Sequence, residues 1–199
     1  MRAAGRAASA GPAARRAERL EPELRVEPPG TPAVRALIAE LDALILERYP
    51  GLPVNGLEDG FEADGGLFVV AYVEGRAAAC GALQHAHGLD EIKRMYVSPD
   101  YRRRGLARIV LRFLEAEAAR HGSERLVLET GIRQPEAIAF YEAEGWTRIA
   151  PYGIYSEVEV SVCFEKRFTG SGSLSRSSPV PDRGPMKRHR RAKPPGLGG

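Results

Sequence analysis

Apolar residues recur with helical and strand spacing over residues 24–168 of the chain. A first stripe at helical spacing predicts an amphipathic helix that ends before Pro50. Thr31 is a typical N-cap residue, and Pro32 suits the first helical position. The apolar members of this stripe are Val34, Leu37, Ile38, Leu41, Leu44 and Ile45.

Two more helices are predicted further along the chain. The pattern indicates one over residues 103–120, where Leu106, Ile109, Val110, Phe113 and Leu114 form the apolar stripe. Pro135 begins a shorter helix, and Gly145 is placed to end it.

Short apolar runs between these helices predict strands. LFVVAYV and AAACGAL flank Glu74-Gly75-Arg76, which is typical of a hairpin. Because side chains alternate along a strand, EIKRMYV should place Glu91, Lys93, Met95 and Val97 on one face and Ile92, Arg94 and Tyr96 on the other. The remaining predicted strands are LRV, RLVLET, WTRI and VEVSVCFE. Hairpins followed by alternating strands and helices predict a mixed α+β fold, in which helices cover both faces of one sheet.

Composition divides the chain into three parts. Residues 1–20 carry a net charge of +4 and residues 169–199 carry +6, so residues 21–168 carry −7 of the overall +3. We expect residues 21–168 to form one domain. Residues 1–20 are rich in Ala and Arg and read as a disordered extension, although this composition also fits an organelle transit peptide.

The Gly/Ser/Pro-rich residues 169–199 are expected to be a disordered basic tail. Its KRHRRAK cluster could contact nucleic acid or an acidic membrane weakly through charge, or the tail could be inert. No apolar run approaches the ~20 residues of a membrane helix, so we predict no membrane segment. Cys80 and Cys163 lie in apolar segments, which indicates buried thiols in the reducing cytoplasm.

The segment RRRGLA joins a predicted strand to a predicted helix. A helix start carries unpaired N–H groups and a partial positive charge, so it can seat a phosphate. Gly105 and Ala107 would allow close approach, and guanidinium groups pair well with phosphate. On these six residues alone, an exposed basic helix start is an equally good interpretation.

Two motifs resemble those of the GNAT superfamily of acyl-CoA-dependent N-acetyltransferases. The pattern V-x-P-x-x-R-x-x-G-x-A, Val97 to Ala107, resembles motif A, and QPEAIAFYEAEGW, Gln134 to Trp146, resembles motif B. The resemblance covers about residues 24–168 and implies a largely antiparallel central sheet and acetyl-CoA as co-substrate. Many family members carry Asn where this chain has Gln134.

The resemblance also implies roles for individual residues. Tyr141 matches the tyrosine that acts as general acid toward the CoA sulfur, and Glu91 or Glu129 could act as general base, although some members use no dedicated base. Each carboxylate taken singly could also be an ordinary solvated strand end. The implied cofactor contacts are Met95, Tyr96, Val97, Arg102, Arg103, Arg104, Gly105, Leu106, Ala107, Gln134 and Ala137.

Several functional alternatives remain at this point. The acidic segment with Glu58, Asp59, Glu62 and Asp64 suggests a cationic small-molecule amine as acceptor, with a protein N-terminus or lysine as the competing acceptor. A nucleic-acid-associated protein and a catalytically silent acyl-CoA sensor are the other classes. His85 and His87 lack a third ligand nearby, so no metal site is predicted. The sequence leaves open whether the chain forms a homodimer.

Overall fold

The computed structural model describes residues 21–51, 66–86 and 88–168. The predicted extension 1–20, the acidic segment with Glu58, Asp59, Glu62 and Asp64, His87 and the predicted tail 169–199 lie outside the described residues. The disorder expected of the two ends therefore stays a prediction.

Seven strands and three α-helices make up the described part of the chain. The strands are β1 Glu23–Val26, β2 Leu67–Val73, β3 Arg76–Ala86, β4 Leu89–Val97, β5 Arg125–Gly131, β6 Thr147–Ile149 and β7 Ser161–Arg167. The helices are α1 Pro32–Arg48, α2 Leu106–Arg120 and α3 Pro135–Ala143. Short 3₁₀ turns lie at Pro99–Tyr101 and Gly153–Tyr155.

The strands form one sheet in the order β1-β2-β3-β4-β5-β7-β6. Neighbouring strands are antiparallel except β4 and β5, which are parallel. This confirms the predicted mixed, largely antiparallel sheet. None of the described helices is long and apolar enough to cross a membrane.

Helices cover both faces of the sheet, as predicted. One face packs against α1 through a buried cluster that includes Phe68, Val70, Cys80, Ala82 and Tyr96. The opposite face packs against α2 and α3 through a larger buried cluster that includes Leu83, Ile92, Leu126, Leu128, Tyr141 and Phe164. The first is called the α1 face and the second the α2 face.

The parallel pair at the centre of the sheet is paired over only part of its length. Asp90–Ile92 lie opposite Leu126–Leu128, and the ladder of paired residues ends there. β4 nevertheless continues to Val97 and β5 to Gly131. The facing edges of the two strands are therefore not paired with each other beyond Ile92, which leaves a split in the sheet.

The predicted alternation along β4 is wrong beyond Lys93. Arg94 takes a positive φ of 57°, and the register with β3 shifts between Cys80 and Ala82. A β-bulge of this kind adds one residue to a strand and turns the following side chains to the other face. Met95 consequently packs toward the α2 face, whereas Lys93 lies opposite Ala82 of the α1 face. Glu91 and Met95 therefore do not share a face.

Helix α2 begins at Leu106, three residues later than residue 103 of the prediction. Arg103 and Gly105 have φ values of 62° and 83°, which a right-handed helix excludes. The last strand also begins later than predicted, at Ser161, because hydrogen bonds from Val158 N to Tyr155 O and from Ser161 N to Val158 O close turns over the preceding residues.

Gly81 allows α2 to approach β3 closely. A Cβ at this position would lie 2.6 Å from Met95 Sδ, 2.8 Å from Val110 Cγ1 and 2.9 Å from Leu114 Cδ1. We predict that Gly81→Ala lowers the free energy of unfolding by about 1–3 kcal/mol through overpacking. Urea denaturation measures the change. Gly30→Ala is the matched control, because a Cβ at Gly30 meets nothing within 4 Å; equal losses in the two variants would contradict the close approach.

Candidate active site

The turn between β4 and α2 exposes backbone N–H groups at a helix start. Arg103 and Gly105 both have positive φ, and Gly105 is the N-cap residue of α2 with no side-chain hydrogen bond to the first turn. In α1, by contrast, Thr31 Oγ1 accepts a hydrogen bond from Val34 N. Left-handed residues in such a turn point successive N–H groups into one concavity, which suits an anion.

The three consecutive arginines are all exposed, but two are held in place by their neighbours. Arg102 Nε donates a 3.0 Å hydrogen bond to Val97 O, so this side chain braces the end of β4 against the turn. The guanidinium carbon of Arg104 lies 5.7 Å from the centre of the Tyr101 ring. Such contacts leave guanidinium N–H groups available to pair with phosphate oxygens.

Met95, Tyr96 and Val97 form the β4 side of the split. Met95 and Val97 are half-buried against the α2 cluster, and Tyr96 is buried on the α1 face. Ser98 Oγ donates a 2.7 Å hydrogen bond to Glu40 Oε2 of α1, which ties the end of β4 to that helix. The residues expected to contact the cofactor through their backbone therefore border the split, next to the turn that begins α2.

Tyr141 lies on α3 and is buried on the α2 face. Its ring is 5.9 Å from Phe164 and 6.1 Å from Trp146, measured between centroids. Burial raises the pKa of Tyr141 above its ordinary value, and the charge of Glu129 adds to this shift. The phenol therefore stays protonated at neutral pH, and only the protonated phenol can donate a proton.

Glu91 is held by two tyrosines that the sequence analysis did not identify. The hydroxyl groups of Tyr152 and Tyr155 each donate a 3.0 Å hydrogen bond to Glu91 Oε1. Burial, followed by the charge of Glu91, raises the pKa of both phenols, so both remain donors. Lys93 Nζ lies 3.9 Å from Glu91 Oε2.

Glu129 has a different environment from Glu91. It lies opposite Cys163 on the face of the sheet that carries α1, and its Oε1 accepts a 2.7 Å hydrogen bond from Ser161 Oγ. Burial raises the pKa of Glu129, an effect that the Ser161 hydrogen bond opposes and the charge of Glu91 reinforces. A carboxylate with a raised pKa is a better proton acceptor near neutral pH.

The structure places Tyr141 of α3 within reach of the charge of Glu129 on β5, whereas Glu91 lies on β4 where that strand is still paired with β5. Gln134 and Ala137 lie at the start of α3. The pattern YGIY, between the last two predicted strands, is a weak signal for Tyr152 and Tyr155, because only the folded sheet brings them to Glu91.

His85 contacts Asp90. Among the described residues, no group of three His, Cys, Asp or Glu side chains is placed to hold a metal ion.

Comparisons with known proteins point to one family. Residues 26–146 match the model of the acetyltransferase (GNAT) family. The chain is 35% identical to an IAA acetyltransferase of Azospirillum brasilense over 143 residues, which cover 70% of this chain and 94% of that protein.

Solved structures show the same fold. A Klebsiella pneumoniae protein assigned as an acyl-CoA N-acyltransferase has 30% identity and a TM-score of 0.63, covering 74% of this chain and 98% of its own. A GNAT family acetyltransferase from Elizabethkingia anophelis, solved with acetyl-CoA bound, has 16% identity and a TM-score of 0.58. The match covers 74% of this chain and 98% of that protein. At that identity the likeness concerns the fold alone.

The turn before α2 leads to a prediction about acetyl-CoA binding. Gly105→Glu should reduce acetyl-CoA affinity at least tenfold, because its carboxylate would repel a phosphate group from the N–H groups at the start of α2. Gly105→Ala is the matched control, because both variants place an L-residue at a φ of 83° and a Cβ there meets nothing within 4 Å. Isothermal titration calorimetry measures both affinities. If the two variants lose affinity equally, the loss comes from backbone strain and the anion site is wrong.

Proposed function

Because the chain belongs to the acetyltransferase (GNAT) family, we propose that it transfers the acetyl group of acetyl-CoA to the primary amine of a small-molecule or amino-acid-like acceptor. The observation that carries this proposal is the split between β4 and β5, with the N–H groups of the α2 start at one end and Tyr141 with Glu129 at the other. The two ends correspond to the two parts of a bound thioester cofactor, its pyrophosphate and its acyl group.

The unpaired edge of β4 provides the groups that would orient the thioester. Backbone N–H groups of Met95 and Val97 would donate to the pantetheine chain and polarise the thioester carbonyl. Arg102, Arg103 and Arg104 would add positive charge beside the pyrophosphate, while Gly105, Leu106 and Ala107 would present their backbone N–H groups to it. Gln134 and Ala137 would contact the cofactor from the start of α3.

Transfer then needs one bond formed and one broken. The neutral amine attacks the thioester carbon, the new C–N bond forms, and the C–S bond breaks with its electron pair going to sulfur. Tyr141 would donate its phenolic proton to the leaving sulfur, and Glu129 would accept the proton that the attacking nitrogen loses, directly or through a water molecule. Glu91 is less suited to accept a proton, because two tyrosine hydroxyl groups already occupy Oε1.

Two observations support a small amine as acceptor. The relative from Azospirillum brasilense carries the name IAA acetyltransferase, and Glu91 and Glu129 place two carboxylates near the split. Carboxylates favour a cationic ammonium group on approach. We also propose a cytoplasmic location, because Cys80 and Cys163 are both buried free thiols.

A thiol-release assay tests the function. Purified protein with acetyl-CoA should release CoA thiol when an amine from a panel of small amines, amino acids and peptides is added, and no amine-dependent release would overturn the proposal.

We predict that Tyr141→Phe lowers kcat about 10²-fold with little change in acetyl-CoA affinity, because only the donated proton is lost. Unchanged kcat would rule out the acid role of Tyr141.

The two carboxylates should respond differently to amide substitution. Glu129 must be ionised to accept a proton, and its pKa is raised, so kcat/KM should fall as the pH decreases through that raised pKa. Glu129→Gln should remove this acid limb and lower kcat/KM about 10²-fold.

Glu91→Gln is the matched control for this experiment. The glutamine Oε1 can still accept hydrogen bonds from Tyr152 and Tyr155, so we expect kcat/KM within about threefold of the unsubstituted protein. If Glu91→Gln loses the acid limb and Glu129→Gln keeps it, the proton acceptor has been assigned to the wrong carboxylate.

A further inference from the structure

The end of α1 is hydrogen bonded to the turn that follows β5. Tyr49, the C-cap residue of α1, is 4% exposed, and its hydroxyl oxygen accepts a 2.7 Å hydrogen bond from Arg133 N. Burial raises the pKa of this hydroxyl group, and the Arg133 N–H group and the neighbouring side chain of Gln134 oppose that shift. Tyr49, Gly131, Arg133 and Gln134 are called the Tyr49 clasp below.

Gly131 is shaped to receive the tyrosine ring. A Cβ at this position would lie 2.0 Å from Tyr49 Oη and 2.4 Å from Tyr49 Cζ. Real Cβ atoms do not approach other atoms so closely, so a larger residue at 131 would displace the ring. The last residue of β5 is therefore in direct contact with the residue that ends α1.

Charged side chains reinforce the clasp at its solvent side. Arg133 Nη1 donates to Arg48 O at 2.8 Å, Arg48 Nη1 donates to Arg133 O at 3.2 Å, and Arg48 forms an ion pair with Glu136. Exposed pairs of this kind contribute little stability, on the order of 0–1 kcal/mol. The buried hydroxyl of Tyr49 is the more consequential contact, because its loss leaves Arg133 N without that partner.

The clasp joins two parts of the sheet that β-pairing does not hold together at this level. Helix α1 packs against β2, β3 and β4, through residues such as Phe68, Cys80 and Tyr96. Gly131 belongs to β5, which pairs with β7 on its other side. Since the β4–β5 ladder ends at Ile92 and Leu128, the position of the β5 end relative to β4 is not fixed by their own hydrogen bonds.

We propose that the Tyr49 clasp sets the width of the split between β4 and β5, and that Tyr49 is a positioning residue for acetyl-CoA binding. Tyr49 acts through the backbone of Arg133, which is followed by Gln134, the N-cap residue of α3, and so leads directly to the helix that carries Tyr141. This inference rests on the proposed function, since the split is where the cofactor is proposed to lie.

Tyr49→Phe tests the proposal, because it keeps the ring on Gly131 and removes only the hydroxyl group. Tyr72→Phe is the matched control: the Tyr72 hydroxyl also bonds a neighbour, Glu27, but at the β1–β2 edge of the sheet. Isothermal titration calorimetry with acetyl-CoA as the probe reports affinity, and thermal unfolding reports stability. We expect similar modest losses of Tm in both variants, but an affinity loss of five- to tenfold only in Tyr49→Phe.

Three outcomes would overturn the proposal. If Tyr49→Phe binds acetyl-CoA within twofold of the unsubstituted protein, the clasp serves stability alone, and the proposed function stands. If the unsubstituted protein and Tyr72→Phe both fail to bind acetyl-CoA, the proposed function fails and the inference fails with it. Equal affinity losses in the two tyrosine variants would assign the effect to general destabilisation and also reject a positioning role.

Discussion

The architecture depends on one incomplete pairing. β4 and β5 are the parallel neighbours in the described sheet, and only three residue pairs join them before the strands continue separately. A backbone edge without a partner strand carries donors and acceptors that need other partners. The helix packing, the β4–α2 turn and the Tyr49 clasp all surround this edge. The split is therefore stabilised from both faces rather than by its own ladder.

The neighbouring structure gives the two sides of the split different chemistry. On the β4 side, a left-handed turn leads into a helix start without a side-chain cap, so backbone donors and arginines dominate. On the β5 side, burial raises the pKa values of Glu129 and Tyr141 and creates a potential proton acceptor and donor. Glu91 differs from Glu129 because Tyr152 and Tyr155 bind it. Two glutamates on adjacent strands thus have different hydrogen-bond partners and different environments.

Local signals in the sequence were sufficient for most elements. Thr31 and Pro32 place the start of α1 correctly, Glu74–Arg76 marks the β2–β3 hairpin, and the resemblance in motifs A and B leads to the family. The bulge at Arg94 was not predictable, because no residue in EIKRMYV is a glycine or asparagine that would favour a positive φ. The bulge places the Met95 side chain on the face opposite to the one predicted. Tyr49 and Tyr152 form hydrogen bonds with partners that lie 84 and 61 residues away along the chain. Contacts at such separation depend on the folded sheet, which no local pattern encodes.

Hydrogen–deuterium exchange with and without acetyl-CoA tests most directly whether the split and the α2 start form the cofactor site. Amides of Met95 and Val97 and of Leu106–Ala107 should exchange more slowly when acetyl-CoA is present, because the cofactor would accept their hydrogen bonds. Amides of β1 and β2, on the far side of β3, should not change. Protection that appears elsewhere while Met95–Val97 remains unaffected would contradict this location of the site.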